Sequence, residues 1–262
     1  MNESILYGAA DGIGTITFNR PQVMNALDPE SIAAFRAVCE RAEHDPQARV
    51  VVVRGAGPAF LAGGDVASFK QNLVDFSSRV IPLAGALHGG ILALRRAPKP
   101  VIASVHGAVA GAGMSIMLAC DLIVAAEGTQ FSMAYSRIAT SPDGGATWFL
   151  PRLVGYQKTM ELLLLADAVD AGALLAMGAI NRVVPAIELE AATQKLAQRL
   201  AAGPATAYAE TKALVNSSLN QQLKVQLDAE AQAFARCSAH RDFAEGVTAF
   251  VEKRKAVFKH DK

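Results

Sequence analysis

Cysteine is scarce in this chain, and the three present (Cys39, Cys120 and Cys237) are odd in number and far apart. That pattern argues against a disulfide framework and against the paired spacing of a thiolate metal site, and it fits a reduced, cytoplasmic setting. Charge is scarce as well: Asp, Glu, Lys and Arg make up 19% of residues, and the formal net charge is +1. A dedicated nucleic-acid binder shows a basic excess or stripe, so no nucleic-acid partner is expected. The opening Met1-Asn-Glu-Ser lacks a basic segment followed by an apolar one, so no secretory leader is expected. No apolar run is both long and unbroken. The nearest candidate for a membrane span, 101–126, has a glycine-rich centre and Asp121 near its end, and reads as two buried elements of a water-soluble core. Low-complexity tracts and exact repeats are absent. What is abundant is apolar residue, 52% of 262, enough to bury a large core as one domain or one domain with an appendage.

The chain is organised around Pro100-Val-Ile-Ala-Ser-Val-His-Gly-Ala-Val-Ala-Gly-Ala-Gly-Met-Ser115. Its β-branched opening, Val101–Val105, predicts a strand buried on both faces. Small residues at 107–113 predict a turn, and apolar residues at 114–120 a helix running into the core. Glycine and alanine at a strand-to-helix junction let a ligand reach the backbone without meeting a side chain. The first N–H groups of such a helix have no internal partner and favour negative charge. Tight strand–helix packing alone would use the same residues. Ala59-Phe-Leu-Ala-Gly-Gly-Asp65 is a second turn of this kind, placed after the short buried strand Val50-Val-Val-Val53.

Upstream, alternation over 12–19 predicts a strand and 19–27 a loop. Asp28-Pro29 predicts a capped helix start, with Ile32, Phe35, Val38 and Cys39 on one side of a helix reaching about Glu43. Residues 67–97 read as helical but interrupted by Pro82, Gly85, Gly89 and Gly90, which predicts a broken helix or a mobile lid beside a pocket. Further on, 122–126 predicts a strand, 131–138 an extended segment, 141–145 a turn, and 147–154, 161–172 and 188–202 helices. From Pro204 the pattern is helical and more charged, ending in Lys253-Arg-Lys255. The recurrence of strand, glycine turn and helix predicts an α/β core with a helical tail.

Four stretches together carry a family likeness: Asn19-Arg-Pro, Phe60-x-Ala-Gly-x-Asp65, the 107–113 turn with Asp121 after it, and the closing Ala249-Phe-Val-Glu-Lys-Arg-Lys255. In this order and spacing the chain resembles the enoyl-CoA hydratase/isomerase (crotonase) superfamily over nearly its whole length. The resemblance implies a spiral of repeated ββα units forming an acyl-CoA-binding catalytic core at 1–200. It also implies a C-terminal helical region at 201–262 that closes the coenzyme site and builds homotrimers, or hexamers as dimers of trimers. The implied partner is an acyl-CoA thioester substrate, with neither nucleic acid nor membrane. No separate cofactor is implied, because coenzyme A is part of the substrate. By position, the resemblance makes the N–H groups of Gly64 and Ala112 the two donors of an oxyanion hole. It sets Ala26, Ala62, Asp65 and Val66 along the coenzyme's path, and Val23, Gly63, Val109, Gly111, Tyr135, Pro142 and Trp148 among the substrate-binding residues. Read from the residues alone, Asp65 is equally a helix N-cap.

Which reaction such a platform runs depends on its acid/base groups. Removing a proton beside a thioester carbonyl, or adding a nucleophile to a conjugated one, puts negative charge on the carbonyl oxygen, and two fixed N–H donors can hold it. Hydratases of this family use two glutamates, and the matching positions here hold Ser115 and Tyr135. Hydroxyl groups cannot replace a carboxylate pair near neutral pH, so hydration is disfavoured. Asp143, in Ser141-Pro-Asp-Gly-Gly145, is the carboxylate that remains in a matching position. From the residues alone it could equally be a turn or cap residue.

Family members with Asp here include enoyl-CoA isomerases and the ring-isomerising epoxide isomerases of phenylacetate breakdown. The runs Met133-Ala-Tyr-Ser-Arg-Ile138 and Thr147-Trp-Phe-Leu-Pro-Arg152 look closest to the latter. The resemblance thus implies an enoyl-CoA isomerase with Asp143 as single acid/base, in a pocket walled by Tyr135, Trp148 and Phe149. Ala139-Thr-Ser141 departs from the more apolar sequence of those isomerases, which leaves the acyl group open. Alternatives within the resemblance are a 4-chlorobenzoyl-CoA dehalogenase-like enzyme using His88, and a non-catalytic acyl-CoA binder. His106 reads as structural.

Overall fold

The computed structural model describes residues 4–258, Asn72 excepted. An aspartate–glycine pair starts the fold. Asp11 and Gly12 both take positive φ (53° and 78°) and turn β1 (Ile5–Ala10) back on β2 (Ile13–Phe18) as an antiparallel hairpin. The chain continues through α1 (Pro29–His44), β3 (Val50–Gly55), α2 (Val66–Lys70), α3 (Phe76–Arg96), β4 (Val101–Val105), β5 (Ala108–Ala110) and α4 (Ala112–Leu118). Then come β6 (Leu122–Ala126), β7 (Gln130–Ser132), α5 (Ala146–Leu165), β8 (Val169–Asp170), α6 (Ala171–Ala176) and β9 (Arg182–Val184). Four helices close it: α7 (Leu189–Ala201), α8 (Ala205–Ser218), α9 (Leu223–Ala239) and α10 (Arg241–Val251).

Six strands form one sheet in the order β1-β2-β3-β4-β6-β9, parallel from β2 onward, while β5, β7 and β8 form a small second sheet. The two-residue period of the strands sorts their side chains between two cores. Val51, Val53, Val101, Ala103 and Val105 join the larger one, with residues of α1, α3, α4 and α5. Val50, Val52, Ile102 and Val124 join the smaller one, covered by Leu189, Ala197 and Ala201 of α7. Both faces are thus covered, as a parallel sheet requires. Asp28 caps α1 as expected, accepting from the Ser31 N–H at 2.8 Å with Pro29 in the first turn.

Four expectations need correction. The tract 101–126 forms four elements, β4, β5, α4 and β6, rather than two. The supposed broken helix or lid at 67–97 is α2, a short 3-10 turn, and then a long α3 that runs on through Pro82. Pro82 and Gly85 sit on the exposed side, and Gly89 and Gly90 lie against α1. A Cβ on Gly90 would lie 2.6 Å from the Phe35 ring, and one on Gly89 3.0 Å from the Arg36 side chain, so their bare backbone lets α3 lie against α1. By length and composition α3 could cross a membrane, but its Leu87, Ile91, Ala93 and Leu94 are buried in the larger core. The segment 131–138 is extended only to Ser132. A 3-10 turn (Ser136–Ile138) follows, bracketed by left-handed Ala134 (φ 33°) and Ala139 (φ 57°). The helix predicted over 161–172 is divided: Ala166 (φ 54°) ends α5, and Asp170 caps α6 by accepting from the Ala173 N–H at 2.7 Å.

Helix α8 joins the core through side-chain hydrogen bonds and an ion pair. No residue of α8 is buried. It is pinned by polar contacts: Lys212 Nζ donates to the carbonyls of Leu94 (2.8 Å) and Lys99 (3.1 Å) and pairs with Asp121 at 2.7 Å. Asn216 adds a hydrogen bond to the Arg95 carbonyl at 3.0 Å. Asp121 also accepts from the Val101 N–H at 2.8 Å, so it joins β4 to α8.

Candidate active site

Two main-chain N–H groups face one cavity because the two glycine-rich turns lie side by side. The Leu61 N–H donates to Ala108 O (3.2 Å), and the Ala110 N–H donates to Leu61 O (3.0 Å). The contact leaves no room for side chains: a Cβ on Gly113 would lie 2.2 Å from Leu61 O. Leu27 takes the groups flanking Gly64, donating to Gly63 O at 2.7 Å and accepting from the Asp65 N–H at 2.8 Å. In such a pairing the central residue's own N–H points the other way. Ala112 is the first residue of α4, so its N–H has no acceptor within the helix. Gly111 before it adopts φ 49°, ψ −120°, a conformation only glycine accepts at low cost. Ala112 itself is not among the residues with positive φ, so alanine in place of glycine introduces no strain. Among the described residues, neither N–H is engaged by a backbone carbonyl.

Both donors line a cavity of about 660 Å³ together with Asp143. Its apolar lining includes Phe69 with Val80, Leu83, Ala84 and Leu87 of α3, and Tyr135, Arg137, Ile138, Thr140 and Ser141 line it as well. Asp143 is the one carboxylate among the described residues lining it. It is half-buried, just before two left-handed glycines, Gly144 (φ 61°) and Gly145 (φ 84°), that lead into α5. The Tyr135 hydroxyl donates to Asp143 Oδ1 at 2.6 Å. Ser115, fully buried on α4, places Oγ 3.0 Å from the Asp143 carbonyl oxygen and 3.2 Å from the Tyr135 hydroxyl. Burial, then the neighbouring Asp143 charge, pushes the Tyr135 phenol far above its usual range, so it stays protonated and donating.

The sequence-derived substrate residues are only partly gathered here. Ala62, Gly63, Val66, Gly111 and Tyr135 line the cavity with Gly64, Ala112 and Asp143. Val23, Ala26, Asp65, Val109, Pro142 and Trp148 do not. Val109 is wholly enclosed in the larger core. Asp65 caps α2, accepting from the Ser68 N–H at 3.2 Å, and pairs with Arg20 at 3.5 Å, so the cap reading describes its contacts. Val23 and Ala26 lie on the 19–27 loop.

Trp148 and Phe149, expected as walls around Asp143, face a neighbouring cavity of about 880 Å³. The start of α5 turns them away, and the Arg152 guanidinium stacks 4.1 Å over the Trp148 ring. His88 belongs to that second cavity too, and its Nε2 accepts the Gly144 N–H at 3.2 Å, which ties α3 to the Asp143 loop. His106 Nε2 contacts the Gly57 carbonyl at 2.8 Å.

Sequence reasoning passed over Asn25. Its side chain is 1% exposed, and its Nδ2 reaches the carbonyls of Ala56 (2.9 Å), Ala59 (2.8 Å) and Phe60 (3.1 Å), pinning the 19–27 loop to the turn that presents Gly64. A polar residue between apolar Met24 and Ala26-Leu27 was the available signal.

Comparison with known proteins decides the family. A family model described as enoyl-CoA hydratase/isomerase matches residues 8–261. The chain belongs to the enoyl-CoA hydratase/isomerase family. Relatives of this acyl-CoA-processing enzyme include a crotonyl-CoA hydratase of Syntrophomonas wolfei, 34% identical over 98% of each chain. Another is a 1,2-epoxyphenylacetyl-CoA isomerase of Escherichia coli, 34% identical over 98% of this chain and 99% of the relative. Among solved structures, an enoyl-CoA hydratase from Polaromonas sp. JS666 superposes with a TM-score of 0.92 at 35% identity, covering 97% of this chain and 99% of that one. The family is thereby established, and its members carry both hydratase and isomerase names.

Proposed function

We propose that this family member is an enoyl-CoA isomerase with Asp143 as its single acid and base. The observation that carries the reading is the cavity itself, where two free N–H donors meet one carboxylate among the described residues. Ser115 and Tyr135 stand where family hydratases carry glutamates, so no carboxylate pair is available to position and activate water. In the proposed reaction Asp143 takes a proton from the carbon between the thioester carbonyl and a 3,4 double bond. The C–H electrons form a new bond toward the carbonyl carbon, and the negative charge settles on the carbonyl oxygen under Gly64 and Ala112. Each such donor typically contributes about 10²–10³-fold in rate. The protonated Asp143 then returns the proton two carbons further along, giving the conjugated 2-enoyl thioester with no water, metal or redox partner consumed. The proposal takes in ring-epoxide thioesters as a second substrate class, supported by the name of the Escherichia coli relative. Self-association through the C-terminal helices belongs to the same reading, supported by the exposure of Phe234, Phe243 and Phe250 there.

The test compares a 3-enoyl-CoA with crotonyl-CoA, using wild type and Asp143→Asn. Conversion of the 3-enoyl ester by wild type should fall by about 10²–10⁴-fold in the variant, with CoA-ester binding and melting temperature retained. Brisk hydration of crotonyl-CoA by wild type, or full isomerase activity in Asp143→Asn, would overturn the proposal.

A further inference from the structure

We infer that Tyr135 and Ser115 are positioning residues that divide the two oxygens of Asp143 between separate tasks, Oδ1 to hold the carboxylate and Oδ2 to carry the proton. The inference rests on the isomerase reading and adds to it the reacting atom and the groups that aim it. Oδ1 accepts the Tyr135 hydroxyl at 2.6 Å, the short distance of a charge-assisted bond. Among the described residues Oδ2 has no hydrogen-bond or ion-pair partner, and Asp143 lines the cavity. A carboxylate free at both oxygens could rotate about its Cβ–Cγ bond. Held at one oxygen, it presents the other in a fixed direction.

Ser115 supplies the second half of the arrangement. It lies three residues after Ala112 on α4, so the oxyanion donor and the serine share one helix face. Its N–H donates to Gly111 O at 3.1 Å, which closes the first helical turn beneath the donor. Its Oγ sits between the Asp143 carbonyl (3.0 Å) and the Tyr135 hydroxyl (3.2 Å), with the Gly111 carbonyl further off at 3.4 Å, and its single proton has the Asp143 carbonyl as its nearest acceptor. The spacing from oxyanion donor to carboxylate is therefore set through one helical turn and one buried hydroxyl. Gly144 makes the approach possible, since a Cβ there would lie 2.7 Å from Ser115 Cβ. Tyr135 cannot itself relay the proton in this geometry, because its one hydrogen is committed to Oδ1 and its phenol is held protonated by burial. A misplaced reacting group of about 1 Å is enough to cost on the order of 10²-fold in rate.

The experiment uses the full-length chain with a 3-enoyl-CoA deuterated at the carbon beside the carbonyl, in ordinary water. Rates are read together with the fraction of deuterium that reappears two carbons further along the product. Wild type, Tyr135→Phe, Ser115→Ala and Asp143→Asn are compared. Tyr135→Phe should lower kcat by about 10²-fold with KM within twofold, because only the aim of the base changes. It should also lower the transferred fraction, since a freed Oδ1 lets the protonated carboxyl turn and exchange with water. Ser115→Ala should show the same two changes, less strongly, and it keeps the question testable if Tyr135→Phe fails to fold. Unchanged kcat and label transfer in both variants would overturn the inference while leaving Asp143 as base. Loss of turnover in Tyr135→Phe as complete as in Asp143→Asn would overturn it in another way, by making Tyr135 a proton-transfer group. Full turnover in Asp143→Asn, or none in wild type, would instead remove the isomerase reading beneath it.

Discussion

The cavity has two working walls built from different parts of the chain. On one side Gly64 and Ala112 offer main-chain N–H groups, aimed by turns packed so closely that Gly113 would drive a Cβ to within 2.2 Å of Leu61 O. On the other side Asp143, Tyr135 and Ser115 work through side chains joined by hydrogen bonds of 2.6 to 3.2 Å. A main-chain donor survives substitution of its own side chain, as alanine at position 112 illustrates, but not a change in the turn that aims it. A side-chain base is the reverse: one substitution alters the chemistry while the fold stands. On the proposed reading, variation at positions 115, 135 and 143 would change the reaction while the Gly64 and Ala112 N–H groups keep their place in the cavity lining. Under the proposed function, that difference would let relatives named hydratase and isomerase share one architecture.

The comparison breaks most severely at Gly113. Gly113→Ala should separate the two turns, with kcat falling by about 10²–10³-fold from the loss of one oxyanion donor, and with a lowered melting temperature. Steady-state kinetics and thermal melting check this, and an active, equally stable variant would show that the turns tolerate separation. A smaller effect is expected where the side-chain wall is given a hydratase-like glutamate. Ser115 has no exposed surface, so Ser115→Glu should cost about 1–3 kcal/mol from overpacking alone, and more if the carboxylate ionises beside Asp143. Denaturant unfolding reads the loss, and crotonyl-CoA hydration should stay absent.

The smallest effect concerns pH. Tyr135 is held well above the ordinary tyrosine value of 10.0, chiefly by burial. The unfolded chain releases that proton near its ordinary value while the folded protein keeps it. The stabilisation is therefore complete below about pH 10 and is lost as pH rises beyond it, by up to ~1.4 kcal/mol per pH unit. Stability of Tyr135→Phe, followed by urea unfolding from pH 9 to 11, should fall less steeply than that of wild type by up to that slope.

Much of the framework is legible in the sequence. The valines of β3 and β4 are apolar in continuous runs because both sheet faces are covered, and such runs announce buried parallel strands. Asp28-Pro29 announced the start of α1 through local capping chemistry. The first strand was overlooked although Asp11-Gly12 carries the signature of a two-residue hairpin turn. Local rules misled most where packing decides. Gly90 looked like a break in a helix, yet the Phe35 ring of α1 is what requires it to be bare. Ala134, Ala139 and Ala166 adopt left-handed backbone without the glycine or asparagine that would advertise it, so the ends of the 131–138 and 161–172 segments were misplaced.

The sequence by itself determined most of the elements and the backbone chemistry on offer: strand–turn–helix units and two small-residue turns. Those properties are local, set by residue type and spacing over a dozen positions or fewer. Only the tertiary structure decided that Leu61 meets Ala108, that Ser115 touches a loop at 143 and a tyrosine at 135, and that Trp148 turns to the neighbouring cavity. These contacts join positions about 20 to 50 residues apart in the chain, or depend on which face a helix presents. No local propensity encodes them, because side-chain direction follows from how the helices seat against the sheet.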